Sequence, residues 1–151
     1  MVSPIQTKPF RVFFPSKGGI YEPLIHRYAG FDNGVGVILL PGQPHFIAVY
    51  PYAVTGMSLS VEPAKARPGA TVRARARLTG SAPAETHLFH FRTVSPDGQD
   101  VPGLGQFVAA EKGEAVFDIA LPLGLAPGKY SLSARCVVTA AIAGATLDLE
   151  P

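Results

Sequence analysis

Apolar and polar residues alternate along several short segments of the chain, and turn residues separate these segments. In 130–138, five residues share one face of the predicted strand and three polar residues the other: Tyr130, Leu132, Ala134, Cys136 and Val138 against Ser131, Ser133 and Arg135. This period of two predicts a β-strand with one buried and one solvent-facing side. A Pro127-Gly128 turn precedes the strand. A tyrosine after such a turn is typical of a Greek-key corner, which it fixes by a bond from phenol to backbone.

A second segment, 70–78, shows the same alternation with a sharper charge contrast. Val72, Ala74, Ala76 and Leu78 are predicted to face the core, and Arg73, Arg75 and Arg77 to face solvent. Further strands are predicted at 57–61, 86–94, 104–110, 114–121 and 145–149, with turn residues between them. Seven strands at roughly ten-residue spacing predict an all-β fold. We expect an antiparallel Ig-like or fibronectin-III-like Greek-key sandwich over 57–151.

The first 56 residues (1–56) predict a smaller β-strand region, either the tail of a preceding β domain or extra strands. Its predicted elements are, in order, a strand at 8–15, a turn at 16–19, an extended segment at 20–28, a turn at 32–34, and a hairpin of 35–40 with 45–50. The turns are indicated by Gly-rich and Asp-Asn-Gly stretches, and the hairpin by a Pro-Gly-Gln-Pro loop. Pro23 is expected to keep its extended segment at a sheet edge.

Composition restricts the classes of partner and compartment. Hydrophobic residues make up 47% of the chain and charged residues 16%, which is enough apolar surface for a folded core. A formal charge of +2 is too small to indicate a nucleic-acid partner or an anionic membrane. No apolar run has transmembrane length, and no signal-peptide core follows Met1. The compartment stays open between a cytosolic protein and a fragment of a secreted or periplasmic one.

No catalytic residue, metal site or cofactor is predicted. The acidic residues lie mostly in or beside turns, where Asp and Glu are expected for solvation and turn hydrogen bonds. His87 and His90 lie three apart on one predicted strand, so they point to opposite faces and do not share a metal ion. Cys136 is the single cysteine, which excludes an intramolecular disulfide. Its inward phase predicts an inert core thiol, with no His or Lys beside it in sequence.

The arginine row of 70–78 is one candidate binding surface. Arg73, Arg75 and Arg77 are predicted to point to the same side of a strand, as a face for an anionic ligand or partner would. The alternative is a solvated face that pairs with Asp118 and Glu114 on a neighbouring strand. The sequence favours this alternative, because such a neighbour is expected in the predicted fold.

Three aromatic residues are the other candidate ligand-binding group. Phe46, Tyr50 and Tyr52 share one strand parity. As exposed rings they would form a platform on which a sugar ring stacks. As buried rings they would pack the N-terminal region against the sandwich. Both interpretations stay open at this point.

Two passages resemble the C-terminal accessory region of bacterial glycoside hydrolases of the β-galactosidase-like type. Segments 20–31 and 35–52, ending in Val49-Tyr50-Pro51-Tyr52, resemble the small β domain that follows the catalytic barrel. Segment 57–149 resembles the Ig-like module that ends such chains. The resemblance implies a non-catalytic module that caps or braces a catalytic domain, or mediates assembly. The sequence contains no barrel, so neither catalytic carboxylate of that family has a counterpart here.

The favoured hypothesis is therefore a structural or interaction module accessory to a carbohydrate-active enzyme, with a catalytic domain or another protein domain as partner. One alternative is a module that binds carbohydrate or another ligand through exposed aromatic residues. Another is an adhesion or assembly domain that adds a partner strand to an open sheet edge. The sequence disfavours this last alternative, because the predicted edges carry proline and charge, as protected edges do.

Overall fold

The structure, a computed structural model, describes residues 9–81 and 85–151, and this part of the chain is all-β. The strands are β1 (Pro9–Glu22), β2 (Arg27–Ile38), β3 (Ala48–Tyr50), β4 (Val54–Glu62), β5 (Lys65–Ala66), β6 (Thr71–Gly80), β7 (His87–Val94), β8 (Gln106–Ala110), β9 (Glu114–Ala120), β10 (Gly128–Cys136) and β11 (Ile142–Leu149). Within the described residues, the other regular element is one turn of 3-10 helix at Pro23–Ile25.

The strands form three sheets, and two of these sheets make a β-sandwich. One sandwich sheet has the order β4-β6-β9 and the other has the order β5-β11-β10-β7-β8. Neighbouring strands are antiparallel except for β5, which runs parallel to β11. The third sheet, called the small sheet below, has the order β2-β1-β3. The prediction of an all-β, largely antiparallel sandwich is confirmed at this level.

The core lies between the two sandwich sheets, at the positions that the alternation predicted. Buried residues of β6 and β10 meet there: Val72, Ala74, Ala76 and Leu78 with Tyr130, Leu132, Ala134 and Cys136. A strand points successive side chains to opposite faces, so every second residue reaches the core. The arginines between them on β6 are exposed. Burial of this apolar surface is the main favourable term in folding.

Tyr130 fixes the corner at the start of β10. Its ring is buried, and its hydroxyl donates a hydrogen bond to the carbonyl oxygen of Ala126 at 2.9 Å. The bond ties the turn before β10 to the strand itself. The predicted bond from phenol to backbone is confirmed.

We expect Tyr130→Phe to lower the free energy of unfolding by about 1 kcal/mol, because the ring still fills its site and one hydrogen bond is lost. Urea unfolding would show a lower midpoint with an unchanged slope. Tyr28→Phe, at a half-exposed ring, is the matched control and should keep the wild-type midpoint. A wild-type midpoint for Tyr130→Phe would contradict a stabilising corner.

The turns predicted in the small sheet were wrong. Residues 16–19 lie inside β1, where they produce a register irregularity, and 32–34 lie inside β2. The chain reverses instead at Pro23–Ile25, followed by His26 in the left-handed region at φ 53°. Pro23 therefore begins a turn and does not lie on an edge strand. The extended segment predicted at 20–28 is interrupted there.

The hairpin predicted between 35–40 and 45–50 was also wrong, since β3 pairs with β1. Two glycines of β1 explain this pairing. A Cβ on Gly18 would lie 2.5 Å from the carbonyl oxygen of Tyr50, and one on Gly19 would lie 2.5 Å from that of Tyr52. Glycine is required here for close approach of two backbones. The same residue type is also the commonest turn signal, which is why the sequence pointed to a turn.

The outer edge of the small sheet is β2, a strand of 12 residues. It contains no proline, and its charged residues are Arg27 and Asp32. Exposed edges are usually protected by proline, several charges or short length. The expectation that the edges carry such protection does not hold for β2.

Tyr21 joins the small sheet to the sandwich. Its hydroxyl accepts a hydrogen bond from the backbone N–H of Val54, the first residue of β4, at 2.7 Å. The predicted division into 1–56 and 57–151 falls just after this contact and stays a prediction.

Across the described residues, no helix combines the length and apolar character needed to cross a bilayer.

Candidate functional site

An aromatic and histidine cluster lies where the small sheet meets the sandwich. We call it the junction cluster, and its members are Tyr21, Tyr28, Tyr50, Tyr52 and His87. The ring of Tyr50 lies 4.7 Å from that of His87 and 5.4 Å from that of Tyr52, measured between centroids. Tyr52 and His87 are only 2% and 3% exposed. Ring pairs at these distances stabilise beyond their buried area, so the cluster fixes the small sheet to the sandwich.

A chain of hydrogen bonds runs through the cluster. The hydroxyl of Tyr52 accepts the backbone N–H of Glu85 at 2.7 Å and lies 2.7 Å from Nε2 of His87. Since Tyr52 already accepts one bond, we assign its own proton to His87 Nε2. The neutral imidazole then carries its proton on Nδ1, which lies 3.5 Å from Sγ of Cys136. Each polar group in this series of hydrogen bonds, from the Glu85 N–H to the Cys136 thiol, therefore has a partner.

Burial sets the ionisation of these groups. It lowers the pKa of His87 and raises the pKa of Tyr52, because both side chains lose solvation of their charged forms. The same cause raises the pKa of Tyr50 to about 12. Tyr50, Tyr52 and His87 are therefore neutral at pH 7, in agreement with the assigned tautomer.

A cysteine beside a histidine is the arrangement of a thiol nucleophile, yet this pair is inaccessible. Cys136 has no exposed surface, and reactive cysteines are partly exposed in electropositive surroundings. The thiol packs in the core, as its inward phase predicted. The contact with His87 was not foreseen, because the two residues are distant in sequence and meet through the pairing of β7 with β10. The sequence did contain one signal that this histidine faces inward. His87 is spaced by two and four residues from Phe89 and Phe91, so all three point to the same face of the strand.

A second polar cluster, also missed from sequence, lies at the reversal between β1 and β2. Glu22 is 2% exposed and accepts hydrogen bonds from Nε and NH2 of Arg27 at 2.6 and 2.7 Å. Nε2 of His45 lies 3.4 Å from the same carboxylate. The bond from Arg27, with a smaller contribution from His45, holds the pKa of Glu22 below its usual value. The contact of His45 with Glu22 connects the segment before β3 to the turn between β1 and β2.

The predicted aromatic group does not form one surface. Phe46 is 58% exposed, Tyr50 is partly buried, and Tyr52 is buried in the junction cluster. Tyr52 therefore presents no ring face to solvent. Tyr50 and Tyr52 stack on each other, whereas Phe46 belongs to none of the aromatic pairs found among the described residues. Tyr50 and Tyr52 therefore lie where the packing alternative expected them, between the N-terminal region and the sandwich.

The predicted arginine row is exposed on β6 and pairs across to β9. Arg73 donates to both carboxylate oxygens of Asp118, at 2.7 and 3.1 Å, and Nε of Arg75 lies 3.7 Å from Glu114. Arg77 stands opposite Glu114 in the strand register. The cross-strand pairing predicted for this face is present. A ligand for the row stays a prediction.

We expect Arg73→Ser to leave the urea midpoint unchanged within error, because exposed ion pairs contribute little net stability. Asp118→Asn, which removes the other partner, should behave in the same way. A clear loss of stability in both variants, absent in Arg77→Ser, would contradict this expectation.

Large apolar side chains are concentrated at the surface of the small sheet and its connections. We call this group the apolar surface, and its members are Phe10, Phe13, Leu24, Ile25, Tyr28, Phe31, Ile38, Leu39, Leu40 and Phe46. Exposed counterparts on the sandwich are fewer and belong to different strands or loops: Leu88, Phe107, Val116, Leu123 and Ile142. By strand alternation Phe10 and Phe13 point to opposite faces of β1, so these residues are distributed over both faces of the small sheet. Contiguous exposed apolar area on a folded protein marks an interaction site.

Comparison with known proteins identifies no family. No protein-family model matches the chain, and no curated protein matches it. Among solved structures, the sporulation control protein Spo0M from Bacillus subtilis aligns over 66% of this chain and 50% of its own, at 13% identity and a TM-score of 0.41. The alkylpurine DNA glycosylase AlkC from Pseudomonas fluorescens, bound to DNA with an abasic site analogue, aligns over 66% of this chain and 32% of its own, with the same identity and TM-score. This chain thus spans about half of Spo0M and about a third of AlkC. Similarity at this level identifies neither a family nor an activity, and the resemblance to glycoside hydrolase accessory regions stays a prediction.

Proposed function

We propose that this chain is a non-catalytic structural or interaction module, accessory to a carbohydrate-active enzyme, with an Ig-like or fibronectin-III-like Greek-key sandwich. The strand order β4-β6-β9 opposite β11-β10-β7-β8 supports the Greek-key assignment, as does the Tyr130 corner. The link to a carbohydrate-active enzyme is supported by the sequence resemblance of 20–31, 35–52 and 57–149.

The observation that carries the interaction role is the apolar surface. Covering one large apolar side chain is worth about 1.5–3 kcal/mol relative to leaving it exposed, so a domain that covers several of them gains binding energy. The small sheet that presents this surface has its own core of Ile20, Val35 and Val37. The junction cluster anchors it to the sandwich. An ordered, anchored support lowers the entropic cost of docking.

The distribution of acidic residues supports a role without catalysis. Glycoside cleavage requires two carboxyl groups about 5–9.5 Å apart in a sugar-sized cleft. Several acids are paired with arginine instead: Glu22 with Arg27, Asp118 with Arg73, and Asp100 with Arg92.

The open edge of β2 supports an interaction role independently. Its unpaired N–H and C=O groups can add a strand from a partner. Tyr28, Phe31 and Ile38 lie on this strand and belong to the apolar surface. A docked domain could therefore combine apolar contact with backbone hydrogen bonds.

Docking is tested with the purified chain and the catalytic barrel of a bacterial β-galactosidase-like hydrolase, by titration calorimetry. We expect Phe13→Ser to weaken binding by about tenfold or more. Ile142→Ser is the matched control, because Phe13 and Ile142 are 66% and 65% exposed and Ile142 lies on the sandwich. Equal binding by the two variants, or no binding by the wild type, would overturn the docking role.

The absence of catalysis is tested separately. The purified chain is incubated with a panel of nitrophenyl glycosides, and no turnover is expected. Hydrolysis that stays with the chain through successive purification steps would end the proposal.

A further inference from the structure

An aromatic pair lies on the outer face of the five-stranded sheet, at its free edge. Phe107 on β8 is 64% exposed and stands opposite His90 of β7 in the register. The two rings are stacked, with centroids 4.5 Å apart and planes inclined by 19°. Because β8 is the last strand of its sheet, no further strand covers Phe107 on the side away from His90. Much of the Phe107 ring is therefore available to a ligand.

An open groove of about 280 Å³ adjoins this pair. Its lining includes His90, Arg92, Asp100, Pro102, Gly103 and Gly105. A Cβ placed on Gly103 would meet no atom within 4 Å, and Gly105 is exposed. The groove is therefore not obstructed by side chains at these two positions. Its size suits one ring of a small ligand.

Arg92 and Asp100 supply polar groups beside the groove. Nε of Arg92 donates to Oδ1 of Asp100, while both side chains remain more than half exposed, at 56% and 61%. A guanidinium has five N–H donors and a carboxylate has two acceptor oxygens, so this contact leaves donors and an acceptor unused. The pair thus presents hydrogen-bond donors and acceptors next to each other, with little net charge.

Phe107 itself does not line the groove, which reaches the aromatic pair at His90. We infer that the Phe107–His90 pair, the groove and the Arg92–Asp100 pair form a binding site for neighbouring pyranose units of a neutral oligosaccharide, one on the Phe107 ring and one in the groove. The negative face of an aromatic ring attracts the polarised C–H groups on one side of a pyranose. Two adjacent hydroxyl groups of the sugar unit in the groove both donate and accept. They can therefore bond to the Arg92 donors and to the Asp100 carboxylate at the same time. Since the sheet ends at β8, a longer glycan can continue beyond the edge.

Other ligand classes fit this arrangement less well. The paired charges of Arg92 and Asp100 largely cancel, so the site as a whole gives an anion or a cation little net attraction. A flat apolar ligand would cover both charged groups without satisfying them, which is costly. A neutral ligand that carries hydroxyl groups on one edge and C–H groups on one face meets all these conditions. The site shares no residue with the predicted aromatic group of Phe46, Tyr50 and Tyr52.

The test is titration calorimetry of the purified chain with cello-, xylo-, manno- and β-1,4-galacto-hexasaccharides. We expect at least one of them to bind and Phe107→Ala to weaken that binding by about tenfold or more. Phe107→Tyr, which keeps a ring, should retain it. Leu123→Ala removes an exposed apolar side chain from the connection between β9 and β10, outside both candidate binding groups, and is the control, with unchanged affinity expected. Circular dichroism confirms that each variant is folded.

No binding to any of the four sugars at about 10 mM, a concentration that detects even millimolar affinity, would overturn the site. So would binding that Phe107→Ala leaves unchanged. The assay uses the chain alone, so its failure is distinguishable from a failure of barrel docking, which is measured at Phe13. Success would add substrate targeting to the proposed accessory role.

Discussion

Tyr52→Ala is expected to lower the free energy of unfolding by about 3–5 kcal/mol, the range for truncation of a buried aromatic residue. The substitution empties the space in which the ring stacks on Tyr50. It also removes the hydroxyl between the Glu85 N–H and His87 Nε2, and a buried polar group left without a partner adds to the loss. The ring contact between Tyr50 on β3 and Tyr52 would be lost as well.

Urea unfolding measures this effect, and two further variants locate its cause. Tyr52→Phe keeps the ring and should cost about 1–3 kcal/mol, from the unpaired partners alone. Phe46→Ala removes an exposed ring and should stay within about 0.5 kcal/mol of wild type. A Tyr52→Ala protein as stable as Phe46→Ala would contradict the burial of Tyr52, and would restore it as a candidate sugar platform.

Acidification is expected to destabilise the protein in two steps, the first from His87. Burial lowers the folded-state pKa of His87 below its ordinary value of 6.5. The unfolded state therefore binds the proton first, so the stabilisation is complete above about 6.5 and declines as pH falls toward the lowered folded-state pKa. Protonation of Nε2 would also deprive the Tyr52 hydroxyl of its acceptor. The slope within this window is about 1.4 kcal/mol per pH unit for one proton.

The second step belongs to Glu22. Its folded-state pKa lies below the ordinary value of 4.5, chiefly because Arg27 hydrogen-bonds the carboxylate. A lowered carboxyl pKa contributes stability that is present above about 4.5 and is lost as pH falls through the folded-state value. The loss of stability from His87 therefore begins near pH 6.5 and that from Glu22 near pH 4.5.

Urea midpoints measured at a series of pH values test both steps. His87→Gln should remove the first step, because its side-chain oxygen accepts the Tyr52 proton without titrating. Glu22→Gln should remove the second step and keep the first. A wild-type pH profile in His87→Gln would show that the histidine is not the titrating group.

How far the sequence could predict the sandwich is clear from β6 and β10. Every second residue on both strands is apolar, and those positions are buried in the structure. The Tyr130 corner and the pairing of Arg73 with Asp118 were predicted in the same way. These features depend on residues a few positions apart, or on neighbouring strands of a regular pattern. Their signals are local, so the sequence alone contains them.

The candidate sites could not be predicted in this way. Cys136 and His87 come from different strands, and Tyr52 from a connecting segment, so no local spacing joins them. The reversal of the chain at Pro23–Ile25 brings together Glu22, Arg27 and His45. The sequence predicted a turn at 16–19 instead, because Gly18 and Gly19 are turn-forming residues. Phe107 and His90 become neighbours through the register of β7 with β8.

The sequence by itself determined the all-β class, the inward faces of the sandwich strands and the bond at Tyr130, because side-chain periodicity is a property of each strand. Only the tertiary structure decided that β3 pairs with β1, that Tyr52 is buried, and that the exposed Phe107 ring stacks on His90. Strand order and long-range register select these contacts. They depend on which surfaces exclude water together, and that is a property of the whole folded chain.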